Sequence, residues 1–368
     1  MNITNEFTEH SNIKNITIVG CGNGGQAIAA HLTYLGYKVT LYAPQNHAST
    51  LNYLMQNSEV QCCGELNFKV KIHHVTSDMK DALNNAKYIF LCIPGFAHDE
   101  IFNSMYNHLN NGQVVCTFNA HFSALFFYNQ LLKQSNKLQV TFVDFNSLPY
   151  ACRAESPGKI SIIAIKKMLS VAMLPRQIMT EVLIELRTIL PLELIVHQSV
   201  IKLGLTIPDG ITHPINTLLN AGRIGNGNLP FYFYKDGISE KTATLITEMD
   251  KERQHIGKLC GFEICSYVEM LNQFYGTSFN SIYDFFTQSA VHNEQYLCPN
   301  NMNDRYIEQD VPYILVPWFT LGLRLGYEAK VMSSIINLSS LINQKDYLQL
   351  GRSLKHVPLL EEIYNENK

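Results

Sequence analysis

A chain of 368 residues, 46% of them hydrophobic and 16% charged, is long enough for two packed domains and too apolar to stay disordered. Its 28 basic and 31 acidic residues leave a formal charge of -3, with no basic block dense enough to follow a phosphate backbone, which excludes nucleic acid as the expected partner. Nine scattered cysteines, in neither zinc nor secreted-disulfide spacing, fit a reducing cytosol.

The polar first dozen residues do not read as a signal peptide. From Asn15, NITIVGCGNGGQAIAAHLTYLGYKVTLYAP reads as a β-branched strand, a glycine turn, a helix with apolar Ala27, Ile28, Ala30, Leu32 and Leu35, and a second strand, together a βαβ unit. Its turn spells GxGxxG. Gly20 allows the bend, Gly22 lets backbone approach a pyrophosphate, and Gly25 brings helix onto strand, while the helix N-terminus attracts the phosphates. Alone the motif is weak, but its place between strand and helix makes NAD or NADP the expected cofactor. The expected contacts are Gly20, Cys21, Gly22, Asn23, Gly24 and Gly25, with Cys21 and Asn23 acting through backbone. The acid that would hold the ribose hydroxyls of NAD is missing: Tyr42, Ala43, Pro44 and Gln45 occupy the end of the second strand. Tyr42 and Ala43 are the candidate contacts there. With no carboxylate to repel a 2′-phosphate, the choice leans slightly to NADP, and Asn46, His47 or Ser49 could donate to that phosphate.

FKVKIHHV, AKYIFLCIP, GQVVCTF and LQVTFVDF follow as strands with helical segments between them, which predicts a mostly parallel sheet covered on both faces. The strand ending at Pro94 and Gly95 places its loop at the carboxyl edge, where such sheets bind ligands, so Pro94 is a further cofactor contact. His98 and His121 fit the same crevice, although a lone histidine is more often an ordinary loop or helix residue. His73 and His74 beside Cys62 and Cys63 make poor metal ligands, because adjacent strand residues point to opposite faces; no metal is expected. FNSLPYACRAESPGKISIIAIKK then reads as a strand end, a Pro157-Gly158 turn and another strand. After the helix PRQIMTEVLIELRTIL and a last short strand the pattern changes, which gives an NAD(P)-binding domain over 1–195 and a helical substrate domain over 196–368. The fold class is α/β, an N-terminal Rossmann-type doubly wound parallel sheet followed by an all-helical second domain.

DGITHPINTLLNAGRIGNG, from Asp209, sets His213, Asn216 and Asn220 on one face of a helix otherwise occupied by Ile215, Leu218 and Leu219. Pro214 suits a first helical turn, with Thr212 or His213 as cap, so the helix is expected to start at the histidine. Helical periodicity continues through SEKTATLITEMDKERQHIGKLCG, ICSYVEMLNQFYG and EAKVMSSIINLSSLI. The longest apolar stretch, Val311 to Tyr327, is broken by Pro312, Pro317 and Arg324 and falls short of a membrane span. A helical domain beside the sheet would leave a cleft in which nicotinamide and His213 face each other.

Four segments resemble the octopine/nopaline (opine) dehydrogenase family in order: the glycine turn, SLPYACR from Ser147, HPINTLLNAGRI from His213, and DRYIEQDVPYILVP from Asp304, with the likeness running to KDYLQLGRSL. Three departures stand out. Ser147 replaces the usual threonine, Gln309 the glutamate before the aspartate, and Ile314 the glycine after it; the loop TFNAHFSALFF also lacks expected glycines. The resemblance implies an NAD(P)H-dependent condensation of an amino acid with a small 2-oxo acid. It assigns His213 as acid/base with Asp310 as its partner, Arg305 as the grip on the oxo-acid carboxylate, and Ser147 as a hydrogen-bond donor to the oxo acid. A neighbouring carboxylate would orient the imidazole and favour its charged form.

Plain alternatives accompany each assignment. His213 and Asp310 could cap helices, Arg305 could pair with Asp304 at the surface, and Asn216 and Asn220 could bond to helix ends instead of to substrate carboxylate or nicotinamide. Arg153 is a weaker candidate, and Cys152 more often a small hydrophobe than a reactive thiol. The partners expected are an amino acid and a 2-oxo acid; a homodimer is one assembly this reading allows. Two rival functions are a ketone reductase of the ketopantoate-reductase type, which needs no amine, and a non-catalytic NAD(P) sensor.

Overall fold

The computed structural model describes residues 15–45, 48–134, 138–227, 231–293 and 298–358. They divide between Val200 and Ile201 into two compact units. Asn46 and His47, two of the three candidate phosphate donors, lie outside the described residues.

The first unit carries twelve strands: β1 (Asn15–Val19), β2 (Lys38–Tyr42), β3 (Glu59–Gly64), β4 (Phe68–Lys71), β5 (His74–Thr76), β6 (Tyr88–Leu91), β7 (Val114–Thr117), β8 (Thr141–Phe145), β9 (Tyr150–Ser156), β10 (Lys159–Ile165), β11 (Met168–Leu174) and β12 (Glu193–Val196). Eight of them form the main sheet in the order β12-β11-β8-β7-β6-β1-β2-β5, parallel except where β11 runs against β8. Its central strands are apolar runs rather than alternations: every residue of β6, β7 and β8 is buried, as a sheet covered on both faces requires. The chain leaves β1 for β2 on one side and returns to β6 on the other, so the order reverses at β1, the switch point where such sheets bind ligands.

A second sheet, β4-β3-β10-β9, was not expected from the strand pattern. It splits FKVKIHHV in two: Phe68–Lys71 joins the small sheet and only His74–Thr76 reaches the main one. The reason lies in packing. Phe68 stacks on Tyr34 at 4.3 Å and 9°, and His31 hydrogen-bonds the Tyr150 hydroxyl at 2.7 Å, so the small sheet covers the helix Asn23–Tyr34.

The described elements of the second unit are all helical. Helix Glu240–Leu259 forms its spine and packs on the helices Asp209–Leu219 and Lys330–Asn343. Arg253, fully buried on that spine, is held by Asp250 at 2.5 and 2.9 Å and donates to the carbonyls of Leu205 and Cys265, both at 2.6 Å. The second oxygen of Asp250 accepts from the Tyr267 amide at 2.8 Å, which fixes the start of helix Tyr267–Tyr275. Glu252 receives the amides of Val331 and Met332 and so caps helix Lys330–Asn343. No helix among the described residues is long and apolar enough to cross a membrane.

Candidate active site

The candidate nucleotide site of the first unit is built from three glycines. Gly20 has φ +112°, and a Cβ there would lie 2.4 Å from the Cys92 carbonyl oxygen, where β1 meets the end of β6. A Cβ on Gly25 would lie 1.8 Å from the Gly20 oxygen, so only glycine lets this helix sit on the turn. Gly22, by contrast, has nothing within 4 Å, which is the space a pyrophosphate needs. It is also the helix N-cap and offers no side chain to the first amides, leaving them for an anion. The donor set therefore fits a dinucleotide.

Around that turn the remaining candidates divide by what their side chains touch. Asn23 Oδ1 accepts from the Ala154 amide at 3.0 Å and Cys21 is buried, so the backbone is the part of each that is a candidate for a cofactor contact. Gln26, unremarked in the sequence, bonds the Cys21 carbonyl at 2.8 Å and receives the Gly158 amide at 2.9 Å, stapling the glycine turn to the small sheet. Gly24 faces Leu148, whose Cδ atoms would lie 2.8 Å from an added Cβ. Tyr42 and Ala43 are buried at the end of β2, and Tyr42 accepts from the Gly20 amide at 2.8 Å. Pro94 is half-buried beside Cys92 at the end of β6. His98 and His121 are fully buried with their rings 5.6 Å apart, against Phe127, and belong to the core. The loop that carries His121 needs no glycine: Asn119, His121 and Phe122 take the left-handed conformation themselves. Ser147 is buried and accepts from the ammonium of Lys166, a buried cation that the sequence reading passed over.

The second unit holds the candidate acid/base pair. Helix Asp209–Leu219 begins one turn earlier than the His-Pro pair suggested, with Pro208 at the N-cap and Pro214 in the interior. An interior proline forfeits one backbone hydrogen bond; here the buried Ile211 and Ile215 and the close approach of Gly210 to Ile314 offset it. A Cβ on Gly210 would meet the Ile314 methyl at 2.4 Å, so the isoleucine in the family's glycine position fits against a glycine opposite.

His213 and Asp310, 97 residues apart in sequence, meet at 2.7 Å between Nδ1 and Oδ2. Nε2 lies 2.9 Å from the Tyr234 hydroxyl; with Asp310 as a carboxylate, which can only accept, the hydrogen bond at Nδ1 is donated by the ring. Tyr306 stacks on the imidazole at 3.9 Å and 24°. Both members are buried, 9% and 1% exposed. Burial pushes the Asp310 carboxyl above its ordinary range; the hydrogen bond from His213 and the charge of Arg305 pull the other way, while Asp209 adds to the rise. Gln309 donates to the other oxygen of Asp310 at 3.3 Å, a contact the family's glutamate could not make as an anion.

Asp310 owes its place to an unusual turn. Val311–Leu315 is a π-helical turn in which Val316 N–H bonds Val311. The Pro312 carbonyl is taken instead by the Arg352 amide at 2.9 Å, and Gly351 allows that approach, an added Cβ lying 2.5 Å from the same oxygen. Asp310 precedes this turn without capping it through its side chain. Arg305 opens the short helix Arg305–Glu308, exposed, with its guanidinium 5.5 Å from the Tyr306 ring.

Asn216 and Asn220 turn to the protein itself. Asn216 donates to the Phe233 carbonyl at 2.7 Å, and Asn220 to the Gly237 carbonyl at 3.1 Å. Asp209 and Tyr234 were missed by the sequence reading. Asp209 stands one helical turn before His213, a spacing visible in the sequence, and its carboxylate, His213 and Asp310 offer ligand atoms within 4.8 Å of one another. A divalent ion at that set would have to displace the hydrogen bond between His213 and Asp310. Tyr234 left no comparable signal, since its role depends on how a turn docks.

Residues 196–343 match the family model for the NAD/NADP octopine/nopaline dehydrogenase α-helical domain, and residues 15–120 that for the NAD-dependent glycerol-3-phosphate dehydrogenase N-terminus. Over 347 residues the chain is 27% identical to an opine dehydrogenase of Arthrobacter sp. (strain 1C), spanning 94% of this chain and 95% of that one. Among solved structures, octopine dehydrogenase in complex with NADH and agmatine gives a TM-score of 0.71 at 17% identity, covering 94% of this chain and 92% of that one. NADP+-bound yersinopine dehydrogenase gives 0.73 at 14% identity, covering 96% and 99%. At these identities the structural likeness speaks for the fold, a nucleotide-binding sheet followed by a helical domain.

Proposed function

Because the chain belongs to the octopine/nopaline dehydrogenase family, we propose that it joins the amine of an amino acid to a 2-oxo acid of the pyruvate or 2-oxoglutarate class and reduces the imine to an N-carboxyalkyl amino acid. It is an NAD(P)-dependent oxidoreductase acting on CH–NH groups. The bound dinucleotide would supply or accept the hydride. In this reading the glycine turn and the free amides after Gly22 hold the pyrophosphate, and the uncharged end of β2 tolerates a 2′-phosphate, favouring NADP.

The observation that carries the reading is the contact between His213 and Asp310 within a chain of this family. Asp310 orients the ring and compensates the imidazolium, which is the source of the proton for the departing oxygen in one direction and its sink in the other. Arg305 is the candidate grip for the oxo-acid carboxylate, its planar fork lying beside the Tyr306 ring and within electrostatic reach of Asp310. Ser147 accepts from Lys166 and keeps its own O–H to donate to the oxo acid, while Asn216 and Asn220 already donate to the Phe233 and Gly237 carbonyls, which favours a positioning role for those two over direct substrate contact.

The test follows NADH and NADPH absorbance with a panel of 2-oxo acids, each with and without mixed amino acids. Oxidation that needs both partners is the expected result. Turnover with the oxo acid alone would make this a simple ketone reductase, and cofactor binding without turnover would make it a sensor. A faster rate with NADPH than with NADH is expected from the uncharged end of β2.

A further inference from the structure

The polar stripe of helix Asp209–Leu219 has one common target, the turn Phe233–Gly237. Asn216 holds its first carbonyl and Asn220 its last, and Gly237 packs so closely that a Cβ would lie 2.2 Å from the Phe233 oxygen and 3.1 Å from the Asn216 amide. Within the turn, Ile238 N–H bonds the Tyr234 carbonyl at 3.0 Å and Asp236 N–H the Tyr232 carbonyl at 2.8 Å. The residue this arrangement presents to His213 is Tyr234. Its ring is stacked on Phe286 at 4.8 Å and 6° and edged by His292 at 5.0 Å, which leaves the hydroxyl little choice of direction. With Asp310 on Nδ1, only Nε2 can serve a substrate, and Tyr234 occupies it.

We propose that Tyr234 is the outer member of a three-part proton relay, Asp310–His213–Tyr234, and that Asn216 and Asn220 are positioning residues that hold it on the imidazole. The inference rests on the dehydrogenase reading above. In the condensing direction the carbon–oxygen bond of the carbinolamine breaks and the oxygen leaves as water, taking the phenolic proton. The phenol recovers a proton from Nε2 of the imidazolium, and the positive charge passes to the iminium, which the hydride then reduces. Asp310 stays a carboxylate throughout. Burial holds the phenol well above its ordinary pKa, so it passes a proton on as it receives one and does not persist as a phenolate. Besides His213, the groups facing it are His292, Tyr306, Tyr267, Tyr275 and Asp209.

The experiment compares wild type with Tyr234→Phe, which keeps the ring and its stack, using the carbonyl substrate that the wild type reduces. Expected are a kcat loss of roughly 10²-fold, an unchanged KM for the dinucleotide, and a proton inventory in mixed H2O and D2O that changes from bowed, two protons in flight, to straight. A ring-fluorinated tyrosine at 234 should restore both rate and bowing, and Asn216→Ala should reproduce part of the loss. A Tyr234→Phe enzyme with wild-type kcat and inventory overturns the relay. If that variant does not fold, a straight inventory in the wild type or in the fluorotyrosine enzyme overturns it. Wild-type turnover that needs no amine would sink the dehydrogenase reading instead, a separate readout.

Discussion

Two of the catalytic candidates were legible because chemistry restricts residue type: neutral-pH proton transfer calls for histidine, and a histidine needs an orienting acceptor. His213 and Asp310 were found that way, with the family resemblance supplying the pairing across 97 positions. Tyr234 was not legible. In FYFYKDG nothing distinguishes one aromatic from the next until the turn is clamped by Asn216 and Asn220, side chains the sequence reading assigned to substrate. Replacing Asp310 with Asn should cut kcat by roughly 10²- to 10⁴-fold, because an amide can donate to Nδ1 and trap the wrong tautomer. Cofactor affinity, read by fluorescence titration, should hold. A variant with near wild-type kcat would remove the acid from the mechanism.

At the scale of elements, periodicity located the strands of the main sheet and the helices of the second unit, yet misjudged two boundaries. Pro214 looked like the first turn of a helix that in fact starts at Asp209, since burial of Ile211 and Ile215 outweighs the lost bond. The small sheet stayed hidden because its strands are half-exposed and its two hairpins join across a long gap in sequence, β3 with β10. The glycine turn offers a graded test. Gly25→Ala should abolish dinucleotide binding or folding, its Cβ falling 1.8 Å from a backbone oxygen, whereas Gly22→Ala should fold and only weaken binding. Calorimetric titration with NADPH reads both; equal affinity in the two variants contradicts the assignment. On the spine helix, Arg253→Leu strands the buried Asp250 and should cost about 3–5 kcal/mol in urea unfolding. A loss under ~1 kcal/mol would mean that the carboxylate finds other partners.

For the whole molecule, the candidate dinucleotide turn lies in the first unit and the candidate acid/base pair, His213 and Asp310, in the second. The division into a sheet followed by helices was plain in the sequence, since apolar strands with turn residues give way after Val196 to patterns of helical period. The first unit also carries a pH liability. Burial lowers the pKa of His31 to about 4 from its ordinary 6.5, so between those values the unfolded chain binds more protons than the folded one. Stability is therefore full above pH 6.5 and falls as the pH drops toward 4. Between about pH 7.5 and about pH 5 the loss from this one group should be about 2 kcal/mol. His31→Asn should flatten that slope in denaturant titrations of the first unit; an unchanged slope would mean that the imidazole is not the group responsible.

The Pro312 carbonyl, left over by the π-helical turn and claimed by Arg352, ties the acid's backbone to a strand of chain forty residues downstream, roughly counted. Shortening the protein from that end, or fusing a bulky tag close to Gly351, would thus act as an indirect lesion of the proton chemistry. Such an enzyme could look folded and bind its dinucleotide while turning over slowly, for want of a peptide N–H that never meets the substrate.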